Sequence, residues 1–326
     1  MKKFYFLVLC FTASIVVYGA TIPRAILSHN GVLTQYDYDH YHDAFTDAVD
    51  GDIIYLTPGT FYGDISITKS ITVIGAGVAE TDAFYYGTNI ADAYAGCGKT
   101  GESTTLCLQR IDLAVSGTSP SSIVLEGLKI VQRDNWPAGI RVSQNLTNLT
   151  IKRCQINFDL GVDAGYILTN LTLESTFLTT IRCARITTPS IYKCYIENFV
   201  GEGISGVTIT NCMINNIDAD NCHFLNCGTW GYPWEHTNTY VNCIYDSRNA
   251  VSFYDNCWQN SSPAVLTKTQ LQTLGYLGDD NNVVGPLGGT DAFTLITSQP
   301  YVASSALNYN ATTKKLNVTM TINKGE

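Results

Sequence analysis

Residues 207–214 read VTITNCMI, and the spacing of their apolar residues recurs along much of the chain. Apolar residues take the first, third and eighth positions, and a small or apolar residue takes the sixth. Close copies occupy residues 71–78, 123–130, 149–156, 171–178 and 189–196, and looser copies occupy 217–224 and 240–245. The steps from 149 to 171, 189 and 207 are 22, 18 and 18 residues. Alternation at period two predicts strands, and the extra spacer residue predicts a bend between two of them.

The bend residue is the fifth of each copy. Residues that adopt the left-handed backbone region at little cost occupy it in four copies: Gly127, Asn211, Asn221 and Asn242. The other bends carry Arg153, Ser175 and Lys193, which indicates that the requirement is not absolute. The short step to residue 217 indicates a change of register. Stacked coils of short strands are favoured over a leucine-rich repeat, because neither a helical segment nor a leucine-asparagine signature recurs.

The segment 50–61, DGDIIYLTPGTF, and the residues 65–77 resemble the first coils of pectin-lyase-like β-helix proteins. The shared features are a Gly-Asp strand, a Pro-Gly-Thr turn and a later pair of glycines, and a weaker likeness continues to Gln259. This resemblance implies an all-β fold, a right-handed parallel β-helix, and a polysaccharide partner. The catalytic segments of the polygalacturonase-like and pectate-lyase-like members are missing from this sequence, so the resemblance says little about a reaction.

Three segments are predicted along the chain. Residues 1–19 are predicted to be a secretory signal peptide, with an uncleaved anchor as the alternative, because two lysines precede a short apolar run. Residues 20–266 are predicted to form the β-helix domain, with a short capping helix between residues 39 and 49. Residues 267–326 are predicted to form a C-terminal capping segment: a helix over 267–274, a loop, and a hairpin over 307–322. We expect a secreted, periplasmic or cell-surface protein without a transmembrane span.

The charge balance limits the choice of partner. Removal of residues 1–19 leaves 17 basic and 28 acidic residues, a net charge of about −11. This balance argues against nucleic acid. An acidic polysaccharide would be repelled on average, unless calcium or a local basic cluster compensated. Calcium is therefore left open as a cofactor. No zinc site is predicted, because no histidine or cysteine pair has an established zinc spacing.

Ten cysteines follow residue 19. Six of them lie at the bend, in the sixth position directly after the bend residue or in a less regular equivalent of it: Cys154, Cys194, Cys212, Cys222, Cys243 and Cys257. We predict a stack of buried thiols, because side chains on adjacent strands run parallel and do not converge as a disulfide requires. Cys97 and Cys107 bracket the glycine-rich residues 98–101 and are the predicted disulfide.

Polar residues that follow the last template position of successive coils are predicted to line a groove along the stack. The candidate catalytic residues are Asp159, Asp163, Arg182, Glu202, Asp218 and Asp220. Paired carboxylates suit glycoside hydrolysis, and a base beside a cation suits elimination from a uronate. Asp218 and Asp220 stand out, since an i, i+2 spacing on a strand places both on one face. The alternative is an ordinary solvated edge.

The residues 226–240 hold an unusual concentration of aromatic side chains. The candidate substrate-binding residues are Trp230, Tyr232, Trp234, Glu235 and His236, together with Trp136 from a neighbouring loop. Exposed aromatic rings stack on sugars, whereas buried ones would close the loop against the coil flank. Two functions stay open: an exported protein that binds polysaccharide, or a polysaccharide lyase or glycoside hydrolase with an unusual acid and arginine site.

Overall fold

The computed structural model describes residues 24–79, 103–116, 120–132, 139–201, 206–230, 237–246, 254–289, 293–297, 301–310 and 315–323, with the backbone alone for 132, 254–255, 301–310 and 315–323. Within these residues the fold is all-β. Two large sheets hold mostly parallel strands, stacked coil upon coil, which is consistent with a β-helix-like solenoid. The predicted signal peptide, residues 1–19, lies outside the described residues.

The first sheet has twelve strands among the described residues. From one edge to the other they are β2 (Val32–Tyr36), β1 (Ala25–His29), β3 (Ile53–Leu56), β6 (Thr72–Ile74), β9 (Ser122–Glu126), β12 (Leu146–Lys152), β14 (Leu168–Glu174), β16 (Ile186–Tyr192), β18 (Thr208–Thr210), β20 (His223–Leu225), β22 (Thr239–Val241) and β24 (Tyr254–Asp255). β1 pairs antiparallel with β2 and β3, and the later pairs are parallel.

The second sheet runs beside the first. Its main path is β4 (Gly59–Tyr62), β7 (Thr104–Leu108), β10 (Lys129–Gln132), β13 (Gln155–Val162), β15 (Phe177–Arg182), β17 (Tyr195–Val200), β19 (Met213–Asp218), β21 (Gly228–Thr229), β23 (Ile244–Tyr245) and β25 (Trp258–Gln259). A branch of three strands joins it at β13: β5 (Ile65–Ile67), β8 (Arg110–Leu113) and β11 (Gly139–Val142). β13 is long enough to pair with both β10 and β11.

The repeat template predicts the interior of the stack correctly. Ile151, Leu173, Ile191 and Ile209 pair in register across β12, β14, β16 and β18, and none is more than 1% exposed. In the close copies from residue 123 onward, the first and third template positions lie in or directly beside the strands of the first sheet, and the eighth lies in the second sheet. The coil therefore turns sharply between the third and eighth positions, as the extra spacer residue indicates.

From Gly127 onward, every described residue at an in-register bend position has a positive φ, whereas Gly75, the bend of the first copy, does not. The angles are 66° at Gly127, 56° at Arg153, 46° at Ser175, 53° at Lys193, 52° at Asn211, 54° at Asn226, 51° at Asn242 and 48° at Asn256. The three bends without glycine or asparagine adopt the same conformation, so the bend requires this backbone conformation and not one of those two residue types. Side-chain amides connect the asparagines: Asn256 donates to Asn242 at 2.6 Å, and Asn242 donates to Asn226 at 3.2 Å.

The copy at residues 217–224 is out of register. Phe224 pairs with Ile209 and with Tyr240, so it occupies the third template position and not the eighth. Its coil is shorter than those before it, since Cys212 and Cys227 hold equivalent places only 15 residues apart. Cys227 therefore belongs to the predicted stack of buried thiols, and Cys222 does not.

Two short helices flank the strands. A 3-10 turn (Tyr38–His40) leads into α1 (Tyr41–Asp47), which buries Tyr41, Ala44 and Phe45. The Tyr41 ring lies 5.1 Å from that of Phe61, centroid to centroid. A second 3-10 turn (Pro263–Val265) precedes α2 (Lys268–Leu274). The predicted capping box of α2 is present between Thr267 and Gln270, and Gly275 ends the helix at a φ of 74°.

Residues 283–289 and 293–297 pack along the outer face of the second sheet. They form a second core with outward-facing residues of that sheet, including Phe177, Tyr195, Met213 and Ile244. The amide of Gly285 donates to Asn226 O at 2.7 Å, and the amide of Val78 donates to Leu295 O at 3.3 Å. The segment thus runs back along the flank toward the N-terminal coils. That the segment 267–326 closes the far end of the stack stays a prediction. β26 (Tyr301–Asn310) and β27 (Lys315–Asn323) form the predicted antiparallel hairpin.

Candidate functional site

Two rows of outward-facing residues cross β8, β11, β13, β15, β17 and β19, and we call them the charged face. The first row is Arg110, Gly139, Asp159, Thr180, Asn198 and Asn216. The second row is Asp112, Arg141, Gly161, Arg182, Val200 and Asp218. Between them runs a row of buried residues, from Ile111 through Phe199 to Ile217. Side chains alternate along a strand, so this buried row makes its two neighbours face outward.

Arginine and aspartate side chains are paired over much of the charged face. Nη2 of Arg110 lies 2.5 Å from Oδ1 of Asp112 and 2.9 Å from Oδ2 of Asp163. Hydrogen bonding to Asp112 raises the pKa of the Arg110 guanidinium, and Asp163 adds to the effect. Nε of Arg182 lies 3.0 Å from Oδ2 of Asp159. These three carboxylates are therefore each held in place by an arginine.

Arg141 lies over a floor made by two glycines. A Cβ atom added to Gly139 would stand 3.1 Å from Nε of Arg141, and one added to Gly161 would stand 2.9 Å from its Nη1. The guanidinium thus occupies space that side chains at these positions would fill. Among the described residues, Arg141 has no hydrogen-bond or ion-pair partner, because Arg110 and Arg182 hold the nearby carboxylates. The middle of the charged face therefore carries an uncompensated cation.

Uncharged polar groups extend the first row beyond Asp159. Nδ2 of Asn216 donates to Oδ1 of Asn198 at 2.8 Å, and Nδ2 of Asn198 is 3.5 Å from Oγ1 of Thr180. Burial raises the pKa of Glu197, the residue before Asn198. Amide and hydroxyl groups aligned along the stack can donate to and accept from the hydroxyl groups of a sugar chain.

Of the candidate catalytic residues, the structure pairs Arg182 with Asp159, and it pairs Asp163 with Arg110 instead. Arg110, Asp112 and Arg141 lie beside them, and sequence reasoning missed all three because β8 and β11 contain no template copy. The signal was present in the segments RIDL (110–113) and GIRV (139–142), where apolar residues alternate with charged ones. Their in-register pairing could not be read from the sequence, because the strands of the branch are separated by connections of unequal length.

The other candidate carboxylates lie apart from this cluster. Asp218 ends the second row and is separated from Arg182 by Val200. Asp220 lies beyond the end of β19, and its Oδ1 accepts from the amide of Thr237 at 3.2 Å. Ala219 between the two aspartates is buried. Glu202 lies outside the described residues.

Of the candidate substrate-binding residues, Trp230 alone lies among the described residues. Trp136, Tyr232, Trp234, Glu235 and His236 lie outside the described residues. Trp230 is half-buried, and its ring centroid lies 5.0 Å from that of Tyr195 in the second core. For Trp230, this packing favours a ring that is buried against the coil flank over a ring that stacks on sugar.

The remaining sequence predictions concern the disulfide, metal ions and membranes. Cys97 lies outside the described residues, and Cys107 is half-buried in β7, so their disulfide stays a prediction. Within the described ranges, no three His, Cys, Asp or Glu side chains are grouped as metal ligands would be. Neither described helix, each of seven residues, has the length and apolarity that crossing a membrane requires. Comparison with known proteins found no matching family model, curated protein or solved structure.

Proposed function

We propose that this chain is an exported right-handed parallel β-helix protein of the pectin-lyase-like type, and that it binds polysaccharide along the charged face. The uncompensated guanidinium of Arg141 over Gly139 and Gly161 is the observation that carries this proposal. A guanidinium on an open glycine floor can donate to the carboxylate or sulfate of a sugar that lies flat on the sheet.

The dimensions of the charged face support a chain-like ligand. Six adjacent strands, spaced by about 4.8 Å, give rows about 24 Å long. Asp159, Asn198 and Asn216 continue the first row beyond Gly139, so a sugar chain along the axis meets polar groups over most of this length. The net negative charge of the protein disfavours acidic ligands in general, and Arg141 supplies the local basic group that would overcome it.

Binding is better supported than hydrolysis or elimination. A general base needs a carboxylate oxygen that is free to contact the substrate proton. Asp112, Asp159 and Asp163 each contact an arginine. A lyase or glycoside hydrolase would have to use a carboxylate outside this cluster, such as Asp218 or Glu202.

Affinity electrophoresis through gels that contain neutral, carboxylated or sulfated polysaccharides tests the proposal. We expect retardation in at least one acidic gel, and we expect Arg141→Gln to abolish most of it. Lys268→Gln, a change of the same charge at an exposed position of α2, is the matched control and should be retarded like the unaltered protein. Equal mobility in every gel would overturn the proposal.

A second assay separates binding from catalysis. The same polysaccharides are incubated with the protein, with calcium or with a chelator, and new reducing ends and unsaturated products are measured. We expect neither product in either condition. Release of unsaturated oligosaccharides only with calcium would instead identify a lyase and a calcium requirement.

A further inference from the structure

Five cysteines occupy the same place in five successive coils. They are Cys194, Cys212, Cys227, Cys243 and Cys257, and we call them the thiol row. The backbone amide of each of the first four donates to the sulfur of the next, at 3.3, 3.4, 3.4 and 3.2 Å. The first four are fully buried. The row follows the bend from coil to coil and forms part of the main core.

The coil spacing is incompatible with disulfides inside this row. In-register neighbours on adjacent strands lie about 4.8 Å apart, whereas the Cβ atoms of a disulfide lie about 3.8 Å apart. The sulfurs are also held in place, since Sγ of Cys212 donates to Thr210 O at 3.3 Å while it accepts from the Cys194 amide. A bridge would remove these hydrogen bonds and pull two coils together.

The folded state makes these thiols unreactive. Attack on an oxidant requires the thiolate, and burial raises the pKa of the Cys212 and Cys243 thiols. Burial also opposes ionisation of Cys227, but hydrogen bonds with these two thiols lower the pKa of Cys227, so its protection rests on its complete burial. Burial raises the pKa of Cys154, on the same corner nearer the N-terminus, to about 12. No oxidant reaches a fully buried sulfur without local opening of the coils.

In the unfolded chain, the same thiols are reactive. Its thiols are exposed and ionise near pH 8.5. Neighbours in the thiol row are separated by 18, 15, 16 and 14 residues, and loops of this length close readily. Oxidation before folding would therefore join cysteines that the folded coils hold apart.

We propose that the thiol row makes folding of this chain redox-gated: the coils stack only while the row is reduced, and stacking then shields the row from oxidants. The chemistry is thiol–disulfide exchange. Two cysteine thiols lose two protons and two electrons and form one S–S bond, while one molecule of oxidised glutathione is reduced to two glutathione thiols. For an exported chain, the proposal implies that coil formation precedes contact with the oxidising machinery.

Oxidised glutathione is the probe for the test. The folded full-length protein and the urea-unfolded protein are each incubated with it, and the remaining thiols are counted after denaturation. We expect the folded protein to lose thiols of the row at least about 1,000-fold more slowly, because the reaction has to wait for the coils to open. Comparable rates of loss in the two states would overturn the shielding part of the proposal.

Refolding tests the gating part. The oxidised unfolded protein is diluted from urea, and protease resistance and circular dichroism are measured before and after addition of dithiothreitol. We expect no native signal until the reductant is added, and peptide mass spectrometry should find bridges within the thiol row. Recovery of the native signal with these bridges intact would overturn the proposal, as would bridges confined to cysteines outside the row.

A variant provides the matched control. Cys212→Ala with Cys227→Ala removes the centre of the row and should refold after oxidation better than the unaltered chain does. If this variant fails to fold when reduced, single replacements of Cys243 and Cys227 by serine give the same comparison. A variant that folds when reduced but is blocked by oxidant as strongly as the unaltered chain contradicts the assignment to the row.

Discussion

The rings of Phe177 and Phe293 meet edge to face, with their centroids 5.2 Å apart and their planes at 88°. Phe177 faces outward from β15, and Phe293 comes from the segment that runs back along the flank of the stack. This contact places a large apolar surface outside the main core. The second sheet is thus buried on both faces over part of its length, which explains why Phe177, Tyr195 and Met213 interrupt the alternation of apolar and polar residues.

Replacement of Phe293 by alanine should destabilise the protein by about 3–5 kcal/mol, because Phe293 is 1% exposed and its loss leaves a cavity against Phe177. Urea unfolding measures this change. Leu274→Ala, at a side chain that is 50% exposed, is the control and should change stability by less than about 0.5 kcal/mol. If the two variants unfold at the same urea concentration, the flank segment is not packed on the sheet.

Ser175 adopts a φ of 46°, a conformation that glycine tolerates better than serine. Ser175→Gly should therefore stabilise the protein, by about 0.5–1 kcal/mol after the greater flexibility of the unfolded glycine chain is taken into account. The matched control is Thr172→Gly in the middle of β14, which should destabilise by about 1 kcal/mol. Thermal unfolding of the two variants should shift in opposite directions. A loss of stability in both would mean that the bend at Ser175 is not strained.

The repeat could be read from the sequence because its physical cause is local. A buried strand needs apolar residues at alternate positions, and Ile151, Leu173, Ile191 and Ile209 show this directly. The short step to residue 217 indicates the change of register, but it does not show which strand Phe224 occupies. A coil of 15 residues and a coil of 18 residues have the same strands and differ only in the connections, so the template matched the wrong pair of strands.

The site was harder to predict than the repeat. Asp159 and Arg182 are 23 positions apart in sequence and become neighbours only through the pairing of β13 with β15. Arg110 reaches across β11 to Asp163, which is 53 positions away. Contacts of this kind depend on the number of residues in each connection between strands, and the sequence alone does not show this number. The second core was missed for the same reason, because residues 283–297 show no period that indicates where they pack.

Glu197 should make stability depend on pH. Burial raises its pKa above the ordinary value of 4.5, so the folded state holds this proton more tightly than the unfolded state does. Its contribution to stability is then present at low pH and is lost as the pH rises from the unfolded pKa through the folded pKa. Glu197→Gln should remove this dependence and raise the urea midpoint at neutral pH relative to the unaltered protein. Parallel pH profiles for the two proteins between about pH 4 and 7 would contradict the assignment.

Substitution of Trp230 tests whether this side chain serves packing or sugar binding. Its ring lies on Tyr195, and its amide donates to Ile214 O at 3.3 Å, so both side chain and backbone are tied to the second sheet. Trp230→Ala should therefore lower stability by about 2 kcal/mol, less than for a fully buried tryptophan because the side chain is only half-buried. Tyr195→Ala should also destabilise, and the double replacement should cost less than the sum of the two, since the rings contact each other. Retardation by polysaccharide, measured in the same gels, should be unchanged in Trp230→Ala. Loss of retardation with an unchanged melting transition would instead make Trp230 part of the binding surface.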